Sequence, residues 1–253
     1  MSQVLVEDVG RVRRITVDHP QTRNSLTDEA LADLVGAAED AERSQEIRCV
    51  VLAGSDAVFA SGADMRALLQ MTSADVESGP RQRLWTTFRG LQIPLVAAIS
   101  GFCLGAGAEL AMMSDIVVAS ETVRFGLPET ALGLIPGAGG TQLLAHAAGK
   151  AVAMDVILSG RLLNAEELMR VGVVSRVASV ADYRNLAYEI AATVAERPAL
   201  AQRLAMQSVR RSFEVSLSEG LAAERRDFGT AFDSPDAKEG LTAFLEKRTA
   251  QFT

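Results

Sequence analysis

The sequence predicts an α/β protein that ends in a helical segment, and three observations carry that prediction. Residues 48–54, 95–99 and 116–118 are short apolar runs of the kind that fully buried strands show. Between them, apolar residues recur at helical spacing. From about Val177 the strand-like runs stop, and helix signals continue to the end. Strands alternating with helices imply an α/β core.

Each element has its own local reason. Residues 4–6 and 12–17 alternate apolar with polar residues about Asp8-Val9-Gly10, the pattern of an opening hairpin. A polar loop follows at residues 18–24. Thr27 fits a helix N-cap, Asp28 and Glu29 suit the positive end of the helix dipole, and Leu31, Leu34, Val35 and Ala38 supply an apolar stripe. Residues 59–65 set small side chains around Gly62, so the backbone can approach a neighbour closely, and a helical pattern begins near Asp64. The polar run 72–83 contains Ser78-Gly79-Pro80 and reads as a loop or a break between helices, with a helix over 84–91.

Residues 94–115 organise the rest. They read as a strand, a turn punctuated by Gly101, Gly105 and Gly107, and a helix over 106–113. Further on, Pro128 suits the first position of a helix or a rigid turn, and either fixes where Glu129 points. Gly133, Pro136, Gly137, Gly139 and Gly140 form a tight loop before a helix from Thr141. Asn164 caps a helix with Glu166 and Glu167 in its first turn and Gly172 past its end. Ser216 and Glu219 form a capping box, and Ser234-Pro235 is a cap with proline at the first helical position. No internal repeat is visible in the residues themselves.

Composition narrows the function. With 253 residues, 48% hydrophobic and 23% charged, the chain can bury a substantial core. A net charge of −7 speaks against nucleic acid or an anionic membrane as partner. The two cysteines, Cys49 and Cys103, lie in apolar surroundings, as reduced thiols of a cytoplasmic protein do. The first ten residues carry neither a basic nor an apolar signal region, so no secretory leader is expected. Residues 93–113 are long enough to be weighed as a membrane span, but Pro94, Glu109, three glycines and the lack of basic flanks argue against it. The only histidines, His19 and His146, stand at no metal-ligand spacing from a cysteine or each other, and no metal site is expected. His19 reads as a solvated turn residue and His146 as a helix-surface residue.

The familiar catalytic motifs fail one by one. Gly105-Ala106-Gly107-Ala108-Glu109-Leu110 lacks the third glycine of a dinucleotide fingerprint, and Gly149-Lys150-Ala151 lacks the hydroxyl of a phosphate loop. No Gly-x-Ser-x-Gly elbow occurs. What remains is a pair of small-residue turns, each offering a backbone N–H, and two glutamates in apolar sequence, Glu109 and Glu129. Paired N–H groups can stabilise an oxyanion developing on a carbonyl. Two carboxyls in one poorly solvated site are driven apart in pKa, which suits acid–base chemistry beside that carbonyl. The same spacing also fits a surface i,i+4 partner at Glu109 and a dipole-favoured first-turn residue at Glu129. On the residues alone, both readings stand.

Several motifs together resemble the enoyl-CoA hydratase/isomerase (crotonase) family. They are residues 59–65, Gly101-Phe102-Cys103-Leu104-Gly105-Ala106-Gly107-Ala108-Glu109-Leu110, Gly126-Leu127-Pro128-Glu129, Ile135-Pro136-Gly137-Ala138-Gly139-Gly140-Thr141, and the C-terminal run 239–248. The resemblance is collinear and spans nearly the whole chain. It implies a spiral of repeated strand–strand–helix units over residues 1–195. Residues 196–253 would form a helical oligomerisation segment, not an independent domain, giving a homotrimer or a dimer of trimers. It further implies an acyl-CoA thioester as substrate, with no cofactor apart from the coenzyme A of that substrate, and a place in fatty-acid β-oxidation. The oxyanion hole would be the backbone N–H groups of Ala63 and Ala106. Ala63, Asp64, Met65, Arg66 and Ala106 would line the CoA and thioester site, with Arg66 able to meet a CoA phosphate. Glu109 would activate water for attack at Cβ and Glu129 would protonate Cα. Retention of both glutamates points to hydration, with isomerisation, a specialised dehydration, or acyl-CoA binding without turnover as alternatives. Ala106 occupies a position commonly held by glycine in the family. Its N–H is retained, but its methyl limits φ and narrows the space beside a thioester. The walls of the acyl pocket are expected between Met65 and Trp85.

Overall fold

The computed structural model describes residues 3–252. Met1 and Ser2 of the N-terminal stretch, and Thr253 of the C-terminal segment, lie outside the described residues. The opening hairpin pairs β1 (Val4–Val9) with β2 (Val12–Val17) across Gly10, and β1 sits at one edge of a six-stranded sheet. From β2 onward the sheet is parallel, through β3 (Cys49–Ala53), β5 (Leu95–Ile99), β7 (Ile116–Ser120) and β9 (Arg176–Ala178).

The continuous apolar runs are explained by cover on both faces of this sheet. Val50, Leu52, Ala97 and Ile99 share a core with Leu31, Leu34 and Val35 of α1 (Asp28–Arg43). The alternate positions Cys49, Val51, Ala53, Val96, Ala98 and Val118 share another with Tyr183, Ala187 and Ala191 of α8 (Tyr183–Ala195). Each large side chain buried this way contributes about 1.5–3 kcal/mol. Thr27 caps α1 as expected, its hydroxyl accepting from Ala30 N–H at 3.1 Å.

A second, three-stranded parallel sheet joins β4 (Val58–Ala60), β6 (Phe102–Leu104) and β8 (Arg124–Gly126). The chain turns from β3 into β4, from β5 into β6 and from β7 into β8. These are three turns of one strand–strand unit, and two of them run on into a helix: β4 leads to α2 (Met65–Leu68) and β6 to α5 (Ala106–Met113). The third ends in a 3-10 turn, Glu129–Leu132. The repeat absent from the residues is therefore present in the backbone. Residues 94–115 also differ from their sequence reading, because the expected Gly-rich turn contains a strand of its own.

The corners are fastened to one another. Ser100 Oγ donates to the Asp56 carbonyl at 2.7 Å and meets Ser120 Oγ at 2.7 Å, which in turn meets Thr122 Oγ1 at 3.0 Å. Gly101 holds φ +56°, and a Cβ there would fall 1.8 Å from the Ala57 carbonyl oxygen, so no other residue fits this corner.

One stretch departs from expectation. Residues 72–83 are mostly helical: α3 (Ser73–Ser78) carries a capping box between Thr72 and Asp75, and α4 (Pro80–Gly90) begins at Pro80 after a single-residue break at Gly79. Pro128 takes the second of its two expected roles, a rigid turn, as the N-cap of a 3-10 turn. Beyond it lie α6 (Gly140–Ser159), kinked at Gly149, and α7 (Ala165–Arg170), capped by Asn164. The chain closes with α9 (Ala199–Arg211), α10 (Leu217–Phe232) and α11 (Pro235–Glu246), the last two capped by Ser216 and Ser234. Arg210 ties α9 to the body, donating to Asp115 at 2.8 Å and to the Leu91 carbonyl at 2.7 Å. Phe213, Leu217, Phe228, Phe232 and Phe244 stay exposed along this segment.

Candidate active site

Between the end of the three-stranded sheet, the helices α2 to α5 and the 3-10 turn Glu129–Leu132, a cavity of about 730 Å³ opens. All seven residues singled out in the sequence line it: Ala63, Asp64, Met65, Arg66, Ala106, Glu109 and Glu129. Neither histidine does. The ring of His146 instead packs edge-on against Phe213.

Glu109 lies in the first turn of α5, a helix whose residues 106–111 are all buried, and is itself 2% exposed. α5 can lie this deep because Gly107 has no side chain: a Cβ there would come within 2.5 Å of the Ala60 carbonyl oxygen. The carboxylate does not use the N–H groups of its own helix. Its Oε1 accepts from Ala138 N–H at 2.7 Å and Gly140 N–H at 2.8 Å, in the Gly-rich loop that leads into α6. Arg89 braces that loop by donating to the Ala138 carbonyl at 2.8 Å. Burial pushes the Glu109 pKa up, while the two amide bonds and the charges of Arg81 and Arg89 hold it down, and burial wins. Ala138, Gly140 and Arg89 were not singled out in the sequence. The tight Gly-rich loop at 137–140 was the available signal for the first two.

Glu129 opens the 3-10 turn, half-buried, with Pro128 before it and Gly133 closing the turn in the left-handed region. The Thr130 hydroxyl donates to the Ile157 carbonyl at 2.7 Å and pins the turn to α6. Glu129 Oε2 is buried without a hydrogen-bond partner. Burial, with the nearby charge of Glu109 adding to it, raises its pKa to about 7. The carboxyl stands against Gly105, where a Cβ would fall 3.0 Å from Glu129 Oε1, and Gly105 holds φ +52°. The two carboxyls therefore face one cavity in different settings, one gripped by two amides of a distant loop and the other met only by its own backbone N–H.

The amides of Ala63 and Ala106 flank the same space. Among the described residues, neither N–H donates a hydrogen bond within the chain. Gly62, at φ +110°, brings the two backbones together: a Cβ on it would lie 3.8 Å from Ala106 N. Two free N–H groups at the lip of a cavity that holds two carboxyls can receive charge on a carbonyl oxygen while protons move beside it. No group of three or more His, Cys, Asp or Glu side chains among the described residues could hold a metal ion. None of the helices there is long and apolar enough to cross a membrane.

The model of the enoyl-CoA hydratase/isomerase family matches residues 7–253. The chain belongs to that family. A family member named as a probable enoyl-CoA hydratase of Mycobacterium tuberculosis is 42% identical over 250 residues, covering 99% of this chain and 97% of its own. A 2,3-dehydroadipyl-CoA hydratase of Escherichia coli is 39% identical over 252 residues, covering 100% and 99%. The enoyl-CoA hydratase crystal structure from Geobacillus kaustophilus superimposes with a TM-score of 0.95 at 35% identity, covering 99% of this chain and 98% of that one. The crotonase-type spiral with its helical C-terminal region is thus the fold of this family member, as the motifs implied.

Proposed function

We propose that the protein is an enoyl-CoA hydratase, adding water across the 2,3-double bond of a 2-enoyl-CoA thioester to give a 3-hydroxyacyl-CoA. The observation that carries this is the unequal pair of carboxyls beside two unengaged amides. The thioester oxygen accepts from Ala63 and Ala106 N–H. Glu109, whose charged form is favoured by two amide donors, takes a proton from water as the water oxygen bonds to Cβ. The π electrons pass to Cα and the thioester oxygen, forming an enolate held by the amides. Glu129, with a pKa of about 7, keeps its proton in about half of the molecules at neutral pH, and that form gives it to Cα as the enolate collapses. Atoms balance: one water enters, and a proton moves from Glu129 to Cα while another reaches Glu109.

This reading asks for no cofactor, coenzyme A being part of the substrate. Met65 and Arg66, both exposed at the cavity, suit the CoA arm, with Arg66 free to meet a phosphate. The same reading makes the protein a homotrimer or a dimer of trimers, supported by the unpartnered apolar side chains on α9 to α11, among them Phe228 and Phe244. A monomer in sedimentation would remove that part.

The test follows the ultraviolet absorbance of crotonyl-CoA on addition of the protein. Rapid loss, slowed about a hundredfold or more in Glu109→Gln and Glu129→Gln, is expected. Binding of acyl-CoA esters with no loss at several chain lengths would leave isomerisation, or binding without turnover, in its place.

A further inference from the structure

Arg81 is a cavity-lining cation that the hydration chemistry leaves unused. It lies in the first turn of α4, and its side chain is 13% exposed. One edge of its guanidinium is held, with Nη1 donating to Asp28 Oδ1 at 2.8 Å. The group leans toward the Trp85 ring, 5.8 Å from its centroid. Its Nη2, carrying two N–H donors, is buried and has no partner. A buried donor on a charged group is costly to leave unmet, and proteins rarely do so without a reason.

The other charged groups around the cavity are accounted for. Asp64 Oδ1 accepts from Arg66 N–H, and Asp75 accepts from the amide and hydroxyl of Thr72. Arg66 is exposed, as the arm of a ligand that trails into solvent requires. Arg81 is not: it is interior, and close enough to Glu109 for its charge to act on that carboxyl. Glu109 marks where Cβ must sit, so the chain beyond Cβ runs on past it into the cavity. A CoA phosphate cannot reach such a place, since it must stay joined to a nucleotide outside. An all-methylene chain would bring the guanidinium no acceptor.

We propose that Arg81 reads a carboxylate at the far end of the acyl chain, so that the preferred substrate is the CoA thioester of an unsaturated dicarboxylic acid. Asp28 holds one edge of the guanidinium through Nη1, and Nη2, closed off from solvent in this structure, meets the incoming carboxylate with charge-assisted hydrogen bonds when the guanidinium pivots about that contact. The inference rests on the hydratase reading for which end of the acyl group lies inside, but its binding arm does not need turnover.

The experiment compares two six-carbon esters that differ only at their end, 2,3-dehydroadipyl-CoA and 2-hexenoyl-CoA. The wild type is expected to hydrate the first with at least tenfold higher kcat/KM. Arg81→Met should cut that ratio at least tenfold, and Arg81→Lys should restore part of it. Equal kcat/KM, or preference for hexenoyl-CoA, overturns the role of Arg81 and leaves hydration standing. If neither ester is hydrated, the hydratase reading fails, and competition between the saturated esters adipyl-CoA and hexanoyl-CoA decides the point. Tighter binding of adipyl-CoA that is lost in Arg81→Met supports carboxylate recognition, and equal binding overturns it. That wild-type comparison stands even if the variant does not fold.

Discussion

Glu109 and Glu129 face one cavity from opposite kinds of structure. Glu109 rides on a helix packed so closely against β4 that only glycine fits at position 107, and two amides from a distant loop grip its carboxylate. Glu129 stands at the start of a 3-10 turn, with one carboxyl oxygen buried and unpartnered. The same side chain is thereby given two characters. Two amide bonds oppose burial at Glu109 and favour a base, while at Glu129 burial is opposed by its own N–H alone and favours a retained proton. Difference of setting, not of residue, divides the labour.

The hardest test of that division removes each carboxyl in turn. Glu109→Gln and Glu129→Gln should each lower kcat for hydration of crotonyl-CoA by about a hundredfold or more, the usual worth of a positioned acid or base. A variant that kept a third of the activity would end the claim for its residue. Gly140→Ala attacks the grip rather than the group. A Cβ there meets Glu109 Oε1 at 3.0 Å and Pro136 Cβ at 2.9 Å, so the carboxylate must shift. Misplacement of this order should cost about ten- to hundredfold in kcat, with a smaller change in KM. Arg89→Ala, which frees the Ala138 carbonyl, should cost less, about three- to tenfold, with Arg89→Lys recovering part. An unchanged kcat would show that the loop holds Glu109 without that brace.

The smallest effects concern pH and stability. If Glu129 acts as the acid, kcat/KM for hydration should fall as pH rises through about 7. The folded pKa of Glu129 lies above its ordinary 4.5, so the folded state binds its proton more tightly than the unfolded one. The stabilisation this gives is full below about pH 4.5 and is lost as pH rises through about 7. Glu129→Gln escapes that loss and should be more stable than the wild type at pH 8 by about 1–2 kcal/mol, discounted for the solvent that reaches the group. Near pH 4 the two should melt alike. A gap of equal size at both pH values would mean that the carboxyl pays no burial cost.

The parts of this site that were legible in the sequence are those written locally. Caps at Thr27, Asn164, Ser216 and Ser234 are decided within four residues, and each is found where expected. Glu109 was visible as a lone charge in an apolar stretch. Its amide donors were not, because Ala138 and Gly140 lie 29 and 31 residues away and only the fold brings them back. The strands β4, β6 and β8 were hidden because three residues are too few to show a period, and their pairing is entirely long-range. The run 72–83 was read as loop or break because a helix facing solvent is as polar as a loop. The Thr72–Asp75 capping box was the local sign to the contrary. Arg81 could not be singled out at all. A buried, unmet donor is a property of packing and leaves no trace in composition.

The two cysteines, one in each sheet, make a pair of internal clocks. Cys49 lies in the six-stranded sheet beneath α8, with its thiol pushed up to about 12 by burial. Cys103 lies in the three-stranded sheet beneath α5, its thiol raised further still by the same cause. Neither can form a thiolate until its surroundings part, so the rate at which each is alkylated reports how often its own layer opens. Equal rates would mean that the spiral comes undone as one body. Faster labelling of Cys103 would mean that the layer holding Glu109 breathes while the main sheet stays shut.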